Sequence, residues 1–407
     1  MRPHLLALSV ALAALSTACG ASGQDQAQPG APVETRAPNA ANQQPAAPDQ
    51  TRAPGVTTRA AMTHRIVATG LEHPWGLALM PDGRWLVTER PGRMRIVTRQ
   101  GDVGAPIEGL PAVDARGQGG LLDVAVSPHF RVDRTVYWSF SEARPEGGNA
   151  TSVARGRLSA DGARMEDAEV IFRAMPAHDG ALHFGGAITF DRQDHLFLTL
   201  GERSDREIRP QAQQLNSHMG KVIRINADGS IPADNPFVSE AGALPAIWSL
   251  GHRNVQGVAI GPDGAVWTME HGTRGGDELN RPRAGGNYGW PVIAYGVEYS
   301  GRPINEGITA REGMEQPVYY WDPVIAPGGM TFYDGAMFPE WEGNLLIAAL
   351  KEKHIVRLVI RNGRVVGEER LLTDLNQRIR DVAVGPDGAV WAITDEDEGV
   401  LVRLVVR

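Results

Sequence analysis

An arginine and an asparagine, Arg253 and Asn254, interrupt the apolar, glycine-rich run WSLGHRNVQGVAIGPDG that extends from Trp248 to Gly264. A guanidinium stays charged at any working pH, so partial burial demands an anionic or strongly polar partner. A carboxylate of a neighbouring segment would serve, and so would an anionic ligand. Arg378 and Arg380 in NQRIRDVAV fall on one face if that segment is extended. Like charges on one face repel unless they share an anion. Lys351 in AALKEKHIVRL adds another cation, and ordinary surface charge is the competing reading for each of these groups. His183 in ALHFGGAITF stands before a Gly-Gly pair and an apolar run. An imidazole titrates near working pH and suits proton transfer, although a buried structural histidine leaves the same trace. Gln118 in ARGQGGLLDVAV sits among glycines that either let another group approach the backbone or simply mark a turn.

A second kind of chemistry is written in EHGTRGGDELNRPRAGGNYGWP, from Glu270 to Pro291. Glu270, Asp277, Glu278 and Tyr288 lie along a glycine-rich path that exposes carbonyl oxygens. Hard cations such as Ca²⁺ take that mixture of ligands. The spacing is not that of an EF-hand, and a solvated acidic loop has the same composition.

These residues need a scaffold, and a recurring phrase supplies one. A turn followed by a strand rich in β-branched and aromatic residues returns at Met80, Ser127, Phe190, Gly261, Phe332 and Gly385. The intervals are roughly 50 to 70 residues, at or above the period of propeller repeats. Each unit alternates apolar residues around an Asp-Gly or similar turn, as the hairpins of a four-stranded blade do. A single such sheet would leave an apolar face and two edges in water, and radial repetition protects both. Residues 62–407 are therefore expected to form an all-β, six-bladed β-propeller, with its first strand completing the last blade. In that fold the polar residues at strand ends converge on the central channel and carry function.

The chain of 407 residues carries a formal net charge of -8, which excludes the basic face that nucleic-acid binding requires. Residues 1–19 read as a secretory signal, with Arg2 ahead of an apolar run from Leu5 to Leu15. Cys19 is the only cysteine, so no intramolecular disulfide can form. It is either a lipid attachment point or is lost with the cleaved peptide, which places the protein in the periplasm or tethered to the cell envelope. Residues 20–61 are Ala, Gln, Pro, Gly and Thr with few large apolar side chains, and are expected to be a disordered tether.

Taken together and in this order, GQGG, HFGG, GHRNVQG, GGDELN, GGNYGWP and RIRDVAV resemble the soluble quinoprotein sugar dehydrogenases, from about His64 to the C-terminus. The likeness is greatest to the aldose sugar dehydrogenase branch. It implies pyrroloquinoline quinone (PQQ) and Ca²⁺ as cofactors, an aldose oxidised at C1 to a lactone, and an external electron acceptor. By position it implies His183 as general base, Arg253 and Asn254 on the quinone, and Gln118 at the cofactor and substrate mouth. Lys351, Arg378 and Arg380 would anchor the cofactor, with Tyr299 of GVEYSG near it. Glu278 and Tyr288 match ligands of a structural calcium, and the carbonyls of Gly272 and Thr273 match those that hold the calcium on PQQ. Leu182, Ala187 and His271 depart from the glucose dehydrogenase branch, which bears on sugar preference and on the surroundings of the base. A calcium propeller that hydrolyses lactones would not need Lys351, Arg378 and Arg380, and a non-catalytic binding propeller could dispense with His183.

Overall fold

The computed structural model describes residues 30–407, so the signal segment, Cys19 and the first part of the expected tether lie outside the described residues. Six antiparallel sheets follow one another along the chain. Blade 1 runs from Pro74 to Val97, blade 2 from Leu121 to Arg173 and blade 3 from Gly185 to Leu250. Blade 4 runs from Val255 to Trp321, blade 5 from Pro327 to Leu371, and blade 6 from Ile379 to Val406. The first strand, Met62–Leu71, pairs antiparallel with the last, Gly399–Val406, and closes the ring. A six-bladed propeller is thus what the repeats build.

The Pro-Asp-Gly phrases do the same work in blades 1, 4 and 6. Gly83, Gly264 and Gly388 each take positive φ and donate their N–H to the carbonyl three residues back, at 2.8–2.9 Å. Asp82, Asp263 and Asp387 each accept the N–H two residues on, at 3.0–3.2 Å. A left-handed residue after such a turn matches the twist of the two strands it joins. Blade 1 has only three strands, where four were expected. Its outer edge is met by a loop, in which Gly104 and Ile107 donate to the carbonyls of Ile96 and Met94. Apolar residues fill the space between successive blades. Trp85 of blade 1 meets Trp391 of blade 6 with ring centroids 5.3 Å apart, both buried.

Residues 30–61 correct the expectation of a disordered tether over their length. They form a strap against blades 4 and 5, with Ala40, Gln50, Ala53 and Thr58 buried. Composition failed here because the strap is held chiefly by hydrogen bonds to sheet edges, with only small apolar side chains such as Ala40 and Ala53 buried against the blades. The N–H of Tyr320 in blade 4 donates to the Gln50 carbonyl at 2.8 Å, and the Val56 N–H donates to Glu368 of blade 5 at 2.9 Å. Outer strands that would otherwise present unpaired groups are covered.

At the third position of the innermost strands stand Gly76, Asp123, Ala187, Gly257, Gly329 and Asp381. Asp123 accepts from the Ile188 N–H of blade 3 at 2.8 Å and Asp381 from the Leu77 N–H of blade 1 at 2.9 Å, so each carboxylate ties two blades together. Side chains at Gly76 and Gly329 would collide with these two residues. Burial pushes the Asp123 carboxyl up to about 7, and burial together with the Asp123 charge pushes Asp381 up as well, against the opposing pull of Arg380. A carboxyl raised in the folded state holds a proton that the unfolded chain releases above about pH 4, so stability is lost as pH rises from there through about 7. Asp123→Asn is expected to flatten that decline. Thermal midpoints of both proteins between pH 5 and pH 8 check it, and parallel curves would sink it.

Candidate active site

His183 is placed by a backbone that few residues adopt. Its φ is 49°, and Gly185 and Gly186 follow at 67° and 107°. A Cβ at Gly185 would strike Leu200 and one at Gly186 would strike Leu122, so the turn requires both glycines of HFGG. Holding a non-glycine residue at positive φ costs free energy and is found where function needs the side chain aimed. The His183 N–H donates to Gln118 Oε1 at 2.9 Å. Its Nδ1 lies 3.1 Å from Glu202 Oε1, with both side chains buried, and Glu202 Oε2 accepts the Ser204 N–H at 2.7 Å. Nε2 is thereby left as the proton acceptor. Burial and the nearby Arg253 hold the imidazole below its usual pKa, opposed by Glu202, so the neutral base is the resting form.

Arg253 is built into a network that starts from Glu270. Glu270 Oε2 accepts the Arg253 N–H at 2.6 Å, while Oε1 meets His252 Nδ1 and Asn280 Nδ2, each at 2.9 Å. His252 stacks on Tyr288 with centroids 4.8 Å apart. The guanidinium lies 5.2 Å from the Trp290 ring centroid, donates to the His271 carbonyl at 2.8 Å, and also bonds the Gly272 carbonyl. It has no carboxylate partner among the described residues, and its buried Nε bonds nothing. Asn254 Oδ1 accepts from Gly185 N–H at 3.2 Å and from Gln256 Nε2 at 3.1 Å, which ties the arginine loop to the histidine turn.

Beside these groups opens a cavity of about 800 Å³ whose lining includes Trp75, Gln118, Gln256, His271, Arg378 and Arg380. Phe184 and Gly185, which follow His183, line it too. Arg380 is buried with Gln256 Oε1 at 2.6 Å as its hydrogen-bond partner and the Trp75 ring 4.1 Å beneath it, and its Nε bonds nothing. Burial brings its pKa down to about 10 despite the more distant Asp395 and Asp381. Such a cation lacks a bonded anion. Arg378 differs, since it already pairs with Asp395 at 3.1 Å. The wall is mixed in charge, with Arg90, Lys353, Arg378 and Arg380 set against Asp395, Glu396, Asp397 and Glu398; a planar anion fits at the Arg380 end, where an aromatic face adjoins a guanidinium that no carboxylate bonds.

Glu278, Tyr288, Gly272, Glu270 and Arg253 surround a second, enclosed space of about 10 Å³. Burial and the charges of Glu270 and Asp277 push the Glu278 carboxyl up, opposed by the hydrogen bond it accepts from Asn280 Nδ2 at 3.2 Å. Among the described residues no three His, Cys, Asp or Glu side chains are grouped to hold a metal ion, so a cation here would draw on carbonyls as well. Thr273 is buried close by, with its hydroxyl on the Val297 carbonyl at 2.6 Å.

The structure therefore brings together Gln118, His183, Arg253, Asn254, Arg378 and Arg380, with Gly272, Thr273, Glu278 and Tyr288 on the adjoining loop. It does not bring in Tyr299, which is 72% exposed, or Lys351, whose side chain is half exposed with Glu352 its nearest carboxylate at 4.0 Å. Lys353 lines the cavity in its stead. Glu202, Gln256 and Trp75 were missed by the sequence reading. Gln256 alone carried a signal, since it is a polar residue within an otherwise apolar strand.

A family model described as glucose/sorbosone dehydrogenase matches residues 71–403. The chain belongs to that family. Aldose sugar dehydrogenase YliI of Escherichia coli K12 is 44% identical over 353 residues, covering 86% of this chain and 94% of that protein. A crystal structure of a glucose dehydrogenase superposes with TM-score 0.81 at 48% identity, over 84% of this chain and 99% of the other. A PQQ-bound aldose sugar dehydrogenase from Streptomyces coelicolor superposes with TM-score 0.70 at 27% identity, over 86% and 100%. The strap lies ahead of the residues that the family model matches. His271 and Leu182 differ in placement: His271 is half-buried in the cavity wall, where desolvation and the Arg380 and Arg253 charges bring its pKa to about 3, while Leu182 is 43% exposed.

Proposed function

We propose that this protein oxidises aldose sugars at C1 to lactones, using PQQ held with Ca²⁺ and passing the electrons to an external acceptor. The observation that carries this reading is the buried Arg380 on the Trp75 face, bonded to Gln256 and to no carboxylate, in a cavity that also meets the His183 turn. When bound, PQQ supplies an electrophilic carbonyl that accepts hydride, and the cation polarises it. Arg380 and Arg378 would hold the carboxylates, with Lys353 adding positive charge at the wall. Arg253 directs a guanidinium toward the carbonyls of His271 and Gly272 and would stabilise negative charge developing beside them. His183 Nε2 takes the proton of the C1 hydroxyl, and Glu202 on Nδ1 fixes the tautomer and steadies the resulting imidazolium. Gln118 holds the backbone of His183 and faces the cavity, where it can also meet a sugar hydroxyl. We further propose that residues 1–19 direct export and that Cys19 carries the lipid of a membrane anchor.

A titration of apo-protein with PQQ, followed by absorbance with Ca²⁺ or with chelator, and then by dye reduction with several aldoses, tests the reading. Loading should require Ca²⁺, and dye reduction should require both the cofactor and an aldose. Equal loading in chelator would remove calcium from the site, and lactone hydrolysis without dye reduction would replace the reaction altogether.

A further inference from the structure

The strap does more than cover sheet edges at one place. Asp322, buried after the outermost strand of blade 4, accepts three bonds from it: Asn39 N–H and Asn39 Nδ2 at 2.8 Å on Oδ1, and Ala40 N–H at 2.9 Å on Oδ2. The same Asn39 accepts from Arg274 Nε at 3.1 Å. Gln43 grips a second segment, accepting the Gly296 N–H at 2.7 Å and donating to the Gly296 carbonyl at 3.2 Å. Residues 272–276 and 294–297 are themselves paired, with Arg274 and Val297 exchanging both backbone bonds at 3.0 Å and the Thr273 hydroxyl on Val297. They touch closely because Gly275, Gly276 and Gly296 take positive φ, where a Cβ would collide with Asp322, the Tyr295 carbonyl or Gly275. The loop that presents the Gly272 carbonyl to Arg253 is thus held from outside at both of its strands.

We propose that Asn39 and Gln43 of the strap are positioning residues for the Gly272–Gly276 loop, ordering the carbonyls that would share a cation with the cofactor. The part concerning the cation rests on the function proposed above. A glycine-rich loop is costly to order, and residues outside the family match supply the restraint.

The test uses the full-length protein carrying Asn39→Ala with Gln43→Ala, beside Thr58→Val as a control. Thr58 bonds Glu369 and Trp341 at the far end of the strap, away from the loop. Amide hydrogen exchange without cofactor is measured first. Exchange in 272–276 and 294–297 should rise about ten-fold or more in the double variant, which removes the four side-chain hydrogen bonds of Asn39 and Gln43 described above, while the control leaves these segments unchanged. The Ca²⁺ concentration that half-saturates PQQ loading should rise by a similar factor in the double variant alone. Unchanged loop exchange would overturn the proposal. So would exchange that rises across all six blades, since the strap would then be a general stabiliser. Looser loops with an unchanged Ca²⁺ requirement would overturn the link to the cation. Wild-type protein that never loads PQQ would overturn the proposed function, and with it that link, while the exchange result still decides whether the strap orders the loop.

Discussion

His183→Asn is expected to lower turnover by roughly 10² to 10⁴, the usual contribution of a general base, with folding and PQQ affinity nearly kept. Asparagine is the better probe than alanine for two physical reasons. It tolerates the positive φ of this position, and its amide can still reach Glu202. Alanine would leave the buried Glu202 carboxylate short of a partner at a cost of about 1 to 3 kcal/mol, confusing catalysis with stability. The measurement is aldose-dependent dye reduction by cofactor-saturated proteins matched for thermal midpoint. A loaded variant that turns over at the wild-type rate would remove His183 from the mechanism. The pH profile gives a second reading of the same residue. Burial and Arg253 hold the imidazole below 6.5, so the acid limb of kcat/KM should lie under that value. Glu202→Gln removes the one upward pull and should move the limb lower still.

Arg380→Ala should weaken PQQ affinity by roughly ten- to a hundred-fold, the equivalent of one charge-assisted contact worth about 1.5 to 3 kcal/mol. Turnover at saturating PQQ should change far less, because the group anchors the cofactor and does not move a proton. Lys351→Ala provides the contrast. Its side chain is half exposed and outside the cavity, so cofactor titrations should superpose on those of the wild type. An Arg380→Ala protein that binds PQQ normally would take the cavity out of cofactor binding. A large loss in Lys351→Ala would mean that its loop folds inward on loading.

The two results depend on different parts of the chain, and those parts were unequally legible in the sequence. The turns at Gly83, Gly264 and Gly388 announce themselves because one local conformation demands one spelling. HFGG and GHRNVQG are legible for the same reason, since a left-handed turn and a buried cation each restrict composition within a few residues. The six blades follow from the return of those phrases, and the closing strand from the need to protect an edge. What no local rule could reach is pairing across the ring. Glu202 stands 19 residues beyond His183, and Gln256 lies 124 residues before the Arg380 it holds. Lys351 and Lys353 are equivalent as sequence, and only the turn that carries them decides which faces the cavity. The strap makes the limit sharpest. Its composition forbids a core of its own, which is what the sequence determined; the open edges of blades 4 and 5 and the buried carboxylate of Asp322 order it nonetheless, because backbone donors and acceptors left unpaired at those edges bind whatever chain can complete them.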